Sequence, residues 1–203
     1  MNKWNKLADK TVVEETIENL KQRNINSFFV ETGNEAKEKV LELLPKGSKV
    51  LAAQSQTVNN IGLTDEIENS GNYISIRKEY MSFDREKEAD KIRISRSIPD
   101  FIVGSINAIT KQGEALIASN TGSQIAAYAG GAGKIIWVIG TQKIVDNLDV
   151  GFKRIYDYVL SLESARLKKI YGVESNVSKL LIFNKEVVPG RVTIIFVNES
   201  LGF

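Results

Sequence analysis

The chain of 203 residues contains no cysteine and no histidine, and it has only three prolines and two methionines. Each absence removes chemistry. Without cysteine there is no disulfide framework, no thiolate nucleophile, no CxxC redox pair and no chain-ligated iron–sulfur cluster. Without histidine there is no Ser-His-Asp triad, no imidazole base and no Cys/His zinc site, so oxygen ligands alone could hold a metal, and no metal site is assigned. Charge of one sign is also scarce. Lys plus Arg number 27 against 25 Asp plus Glu, a net +2 from interspersed signs, which gives no broad field for nucleic acid or an anionic membrane. Long apolar runs are missing too. The strongest, Ile135 to Ile139 and Val192 to Val197, fall far below the roughly 18 residues of a membrane span. The amino-terminal residues alternate Lys, Asn and Asp with single apolar residues and lack the apolar stretch of a signal peptide, so a cytoplasmic protein is expected.

What is present is an alternation of strand and helix patterns. Thr11 and Glu14 have capping-box spacing, and Val13, Ile17 and Leu20 recur at helical intervals, which predicts a helix from Thr11 to about Arg23. A strand at Asn26 to Glu31 follows, then a second capping box, Thr32 with Glu35, opening a helix that Pro45 and Gly47 end before a strand at Lys49 to Ala53. The order continues with a helix near Val58 to Asn69 and strands at Tyr73 to Arg77, Phe101 to Gly104, Ala115 to Ser119 and Lys134 to Gly140. A short helix is expected at Gly122 to Tyr128. A stripe of Leu148, Phe152, Ile155, Val159 and Leu162 marks a long helix running to Tyr171, with Gly172 as its stop. Two closing strands, Lys179 to Phe183 and Arg191 to Asn198, flank Pro189 and Gly190. The expected fold class is α/β: a mainly parallel sheet with helices on both faces and a C-terminal antiparallel hairpin. The expected organisation is an N-terminal helix, residues 1–25, leading into one α/β domain, residues 26–203.

Several apolar strands run straight into small polar residues. Ala53 leads into Gln54, Ser55, Gln56 and Thr57; Val103 into Ser105 and Asn107; Ala118 into Ser119, Asn120, Thr121, Gly122, Ser123 and Gln124; Ile139 into Gly140, Thr141, Gln142 and Lys143. Ligands in open α/β sheets bind beyond the carboxyl ends of the strands, so these endings are the candidate binding site. Any one cluster alone is equally read as helix caps and turns. The Ser119 to Gln124 loop offers hydroxyls and backbone N–H groups at a helix start, suited to a phosphate or carboxylate or simply to an ordinary cap, and neither GxxxxGKST nor GxGxxG occurs. Lys143 supplies a positive charge at this rim, or is a solvated loop lysine. Arg154 points to the rim or to solvent. Glu114, after the Thr110 to Gly113 turn, is the candidate acid/base residue, with Glu31 the other carboxylate at a strand end. The charged stretch Asp84 to Arg96 is either a lid carrying Tyr80, Met81 and Phe83 over the crevice or a solvated helix face.

Taken in order, Ser55 to Thr57 with Ile61 to Leu63, Ser105 to Thr110 with Gly113 and Glu114, Asn120 to Gln124, Val138 to Val145, the helix with Arg154, Gly190 to Thr193 and Leu201 to Phe203 resemble the LUD domain family, which includes the lactate utilisation protein C type. The resemblance covers most of the chain from about Asn34. It implies a fold like that of the sugar-phosphate isomerase and coenzyme A transferase superfamily. For activity it implies an accessory part in lactate or organic-acid utilisation beside iron–sulfur partner subunits, with a small anionic metabolite as ligand. Two departures stand out: Ala53 and Gln54 replace the Gly-Gly usual before Ser55, and the cysteine cluster of many members is absent. Two other readings stay open. One is a stand-alone isomerase- or acyl/CoA-transfer-type enzyme with Glu114 as base or nucleophile. The other is a non-catalytic ligand-sensing or assembly module. The metabolite, any cofactor such as coenzyme A or a nucleotide, and a homo-oligomeric state are left unassigned by the residues.

Overall fold

The computed structural model describes residues 2–203. Helix α1, Lys10–Lys21, buries Val13, Thr16 and Leu20. Its cap lies two residues before the expected one: Asp9 is the N-cap, without a side-chain cap bond, and Thr11 lies inside the helix. β1, Asn26–Val30, leads to α2, Gly33–Leu43, where the Thr32 cap forms as the spacing requires and the Glu35 return bond reaches one residue further back. The Thr32 hydroxyl accepts from the Glu35 N–H, and the Glu35 carboxylate reaches back to the Glu31 N–H. β2, Lys49–Ala52, is followed not by one helix but by two, α3, Gln56–Asn60, and α4, Leu63–Asn69. Gly62, at φ +70°, takes the left-handed conformation that splits them.

β3 is only Ile74–Ser75, because Ser75 caps α5, Ile76–Met81, and so cuts short the strand expected up to Arg77. α6, Ala89–Ser97, occupies the charged stretch and buries none of its residues. β4, Phe101–Gly104, precedes β5, Ala108–Thr110, and β6, Ala115–Ser119. A helical turn with π character at Ala127–Gly131 replaces the helix expected from Gly122. β7, Lys134–Gly140, is followed by a single 3-10 turn, Thr141–Lys143, and β8, Ile144–Val145. The expected long helix is α7, Leu148–Arg154, and α8, Leu160–Tyr171, joined without a break through a π turn at Ile155–Val159, and Gly172 at φ +72° ends it. β9, Lys179–Phe183, and β10, Val192–Val197, complete the chain.

The main sheet has six strands in the order β1-β10-β7-β4-β2-β3, and every neighbouring pair is parallel. Its two faces follow from the period of two along each strand. In β7, Ile136 and Val138 join the core under α2, α3 and α4, with Val40, Val58, Leu63 and Ile67. Ile135, Trp137 and Ile139 point to the opposite core, which holds Val13 and Leu20 of α1 and Phe183 of β9.

A second sheet, β8-β5-β6-β9, covers part of that face. Two expectations are corrected by it. Ala115 to Ser119 is not in the parallel sheet but pairs antiparallel with β5 and β9. The closing strands do not form a hairpin: β9 pairs with β6, whereas β10 lies between β1 and β7 in the main sheet. The reason is burial. All six β10 residues are buried, as in a strand covered on both faces, while Lys179 and Leu180 at the start of β9 are exposed. Trp137 joins the two sheets, edge-on to Phe183 at 5.4 Å between centroids and to Tyr128 at 5.3 Å.

Candidate functional site

From β2 the chain moves outward to β3, whereas β4 returns on the other side of β2 and leads on to β7 and β10, so the direction of winding reverses between β2 and β4. Crevices form beyond the carboxyl ends of strands at such a reversal. A cavity of about 770 Å³ lies there. Ser55 and Thr57 after β2, Ser105 and Asn107 after β4, and Lys143 one turn after β7 all line it. The end of β6 contributes Asn120, Thr121, Ser123 and Gln124 from the second sheet. Three adjacent parallel strands and one strand of the smaller sheet therefore meet at one hollow.

Lys143 forms its floor. The residue is 2% exposed, and its Nζ lies 3.0 Å from Thr57 Oγ1, 3.1 Å from Ser105 Oγ and 3.2 Å from the Ile106 carbonyl oxygen. No carboxylate pairs with it among the described residues. Burial pushes the Lys143 amine well below the ordinary lysine value, and the neighbouring Arg154 cation adds to the push. Thr57 is held in turn, since its hydroxyl donates to the Leu201 carbonyl at 3.1 Å. Asn107 is oriented by the Ala118 N–H, which donates to its Oδ1 at 2.7 Å.

Arg154 is wholly buried rather than solvated or at the rim. Its Nη1 donates to the Asn107 carbonyl at 2.7 Å and its guanidinium lies 5.4 Å from the Tyr158 ring, while Nε and Nη2 have no partner among the described residues. Burial pushes its pKa down to about 10.

Three residues expected at the site lie off the cavity. Gly122 packs against Lys179, with φ +79°. Gln142 is buried and donates from Nε2 to the Leu201 carbonyl at 3.0 Å, which ties down the last residues of the chain. Beside it Gly140 is obligatory, because a Cβ there would come within 2.4 Å of the Glu199 carbonyl oxygen. Glu114 sits at the β5–β6 turn, where it accepts from Thr110 and pairs with Arg23 at 2.8 Å. Burial raises its pKa, but the Thr110 hydroxyl and the Arg23 charge outweigh that, so the carboxyl lies below its ordinary range. Glu114 is thus held by Arg23 and Thr110 away from the cavity. Glu31 is likewise remote from the cavity, accepting from Asn198 at 2.8 Å.

The Ser119 to Gln124 loop uses its polar groups mainly on itself. Ser119 Oγ accepts from the Gly122 N–H at 2.9 Å, and the Ser123 hydroxyl donates to Gln124 Oε1 at 2.9 Å. It lines the cavity without forming a helix-start cradle, since the helical turn begins only at Ile125.

The cavity's outer wall is the segment that the sequence offered either as a lid or as a solvated helix face. Ala89, Ile92 and Arg96 of α6 line it, together with Tyr80, Met81 and Arg85, whereas Phe83 does not. Their i, i+3, i+7 spacing is the signal that one face of α6 looks inward. In this segment Lys87 pairs with Asp84, Lys91 with Glu88 and Arg93 with Asp90, which leaves Arg85 and Arg96 without a carboxylate among the described residues. Arg96 instead stacks 5.3 Å from the Tyr80 ring. Opposite, Arg166 is held in a fork by Glu163 at 2.7 and 2.6 Å. Three arginines and one carboxylate thus face a single hollow, with the Lys143 amine at its floor.

The chain is thus an α/β protein whose parallel sheet carries a polar cavity at its winding reversal. The chain belongs to the LUD domain family, whose model matches residues 13–197. A DUF162 family protein from Deinococcus radiodurans has a similar structure, with a TM-score of 0.60 at 11% identity, covering 95% of this chain and 100% of that one. A second structure, eIF2B beta from Chaetomium thermophilum, reaches a TM-score of 0.37 at 14% identity over 66% of this chain and 47% of that one, and bears no argument. No curated protein matches the chain. Among the described residues no helix is long and apolar enough to cross a membrane, and no cluster of metal-ligating side chains occurs.

Proposed function

We propose that this LUD domain protein binds an organic anion in the cavity and serves in the cytoplasm as an accessory component of lactate or related organic-acid utilisation. The observation that carries the anion reading is the charge at the cavity wall. A protein of net +2 places Arg85 and Arg96 at one hollow with no carboxylate among the described residues to neutralise them. Low-dielectric walls strengthen such a field. Hydroxyl and amide groups of Ser55, Asn107, Thr121 and Ser123 supply the donors that orient a carboxylate or phosphate. At about 770 Å³ the hollow falls within the range of small-molecule sites, roughly 300 to 1,000 Å³, and a three-carbon acid fills only a small part of it. The hollow therefore has room for an acid with a longer body or a carrier attached. The accessory role rests on the family resemblance.

Thermal shift with L-lactate, pyruvate, a coenzyme A ester and a sugar phosphate tests the anion reading. Saturable stabilisation is expected, on the order of 2.7 kcal/mol at a hundredfold excess over Kd. The Arg85→Ala, Arg96→Ala double variant should weaken binding about tenfold or more. A hit indifferent to that change places the site elsewhere. Affinity capture from native cytoplasm reads the accessory role separately: recovery of iron–sulfur proteins supports it, and their absence removes it.

A further inference from the structure

We propose that Ser105 and Lys143 form a nucleophile–base pair that carries out acyl transfer or hydrolysis on an ester or thioester, with Thr57 positioning the base and Asn107 stabilising the oxyanion. The geometry is that of an activated nucleophile: a hydroxyl within hydrogen-bond reach of a base, and the base fixed by a third group. Ser105 is half-buried and opens onto the cavity. Its Oγ is 3.1 Å from Lys143 Nζ, which is anchored at 3.0 Å by Thr57 Oγ1 and at 3.2 Å by the Ile106 carbonyl. Because the Thr57 hydroxyl donates to Leu201, it offers Lys143 a lone pair. The other contact of the Ser105 hydroxyl, to the adjacent Ile106 carbonyl at 3.4 Å, is long, so this rotor is free to turn its proton toward the amine.

A base must be neutral to act. Lys143 has only neutral partners and the Arg154 cation nearby, and burial favours the amine over the ammonium. For the oxyanion, Asn107 Oδ1 is occupied by the Ala118 N–H, which fixes the amide's orientation and leaves Nδ2, without a partner among the described residues, as a donor on a residue that lines the same cavity as Ser105.

The step balances within the chain and its substrate. Ser105 Oγ attacks the acyl carbonyl carbon as its proton passes to Lys143 Nζ, and an Oγ–C bond forms. The C–O or C–S bond to the leaving group then breaks, and the Lys143 ammonium returns the proton to the departing alkoxide or thiolate. Water, giving its proton to Lys143, attacks the acyl-serine; the acid leaves and Ser105 recovers the proton. The substrate class, an ester or thioester bearing negative charge, rests on the anion-binding reading and its uncommitted arginines. The dyad itself does not.

The full chain incubated with p-nitrophenyl acetate, a small neutral ester, tests the dyad alone. Release of p-nitrophenolate is measured, and the acetylated residue is located by peptide mass. The expected result is acetyl on Ser105, formed at a rate that rises with pH through one ionisation below the ordinary lysine range. Lys143→Arg keeps a long basic side chain in place but supplies no neutral base, and should slow acetylation about a hundredfold or more. Thr57→Val should move the pH midpoint, and Thr57→Ser restore it, which a merely structural threonine would not do. Wild-type protein without acetyl on Ser105, or an unchanged rate in a folded Lys143→Arg, overturns the proposal. The substrate class is read by the hemisuccinate ester of p-nitrophenol. A kcat/KM about tenfold above that of the acetate is expected, and equal values overturn the charge preference while leaving the dyad standing.

Discussion

A lysine amine taken out of water with three neutral partners and no carboxylate holds its proton less tightly than the same amine in the unfolded chain. The linkage has a definite sign. Between the lowered folded value and the unfolded value of about 10.5, the unfolded chain binds a proton that the folded chain has released, so stability rises with pH across that window and falls as pH drops through it. Lys143→Met removes the titration. Its melting temperature should lie above the wild-type value at neutral pH and the two should converge toward pH 10, read by scanning calorimetry; parallel curves would mean an ordinary amine. Lys143, Thr57 and Ser105 were legible as rim residues because each follows a strand. Their mutual contacts were not, since no local pattern tells which strand ends are neighbours. Arg154 was illegible for a related reason: its burial depends on the elements packed around it, not on its own helix.

Among the elements, the segment from Glu186 to Arg191 shows why a turn is more than its Pro and Gly. Arg191 and Glu186 pair at 2.6 Å, both buried, and the remaining guanidinium donors reach the carbonyls of Ala132, Ala127 and Tyr128. Glu186 also accepts from the N–H groups of Val187 and Val188. This clamp holds the π turn at Ala127–Gly131 against the start of β10. Removing one partner strands the other charge, so Arg191→Ala should cost about 3 to 5 kcal/mol in urea unfolding, and the Arg191→Met, Glu186→Leu pair markedly less. The sequence shows a turn at Pro189 and Gly190 but not the clamp, whose carbonyl acceptors lie some sixty positions away in the chain. The helix capped by Thr32 was legible because its instructions are local. The long stripe from Leu148 located α7 and α8 for the same reason, although their π turn left no trace in the periodicity.

At the scale of the molecule, the parallel sheet was foreseeable from fully apolar strands alternating with helices, and the second sheet was not. Its strands β5 and β8 have three and two residues, too short for any periodic signal. The unbroken apolar run of β10 did carry a hint against a hairpin, because a strand buried on both faces belongs inside a covered sheet. Trp137, wedged between Tyr128 and Phe183, makes the two sheets one packing unit. Phe183→Ala should therefore cost about 3 to 5 kcal/mol and lower a single transition seen alike by far-UV and near-UV circular dichroism. Two separated transitions would show that the sheets unfold independently.

The Lys143–Thr57 hydrogen bond spans 86 positions along the chain and the Lys143–Ser105 bond 38. Loops of that length close only once the strands between them have docked. Reactivity at Ser105 is thus a late-arriving property of the folding chain, and its first appearance after dilution from denaturant would time the moment at which the sheet is complete.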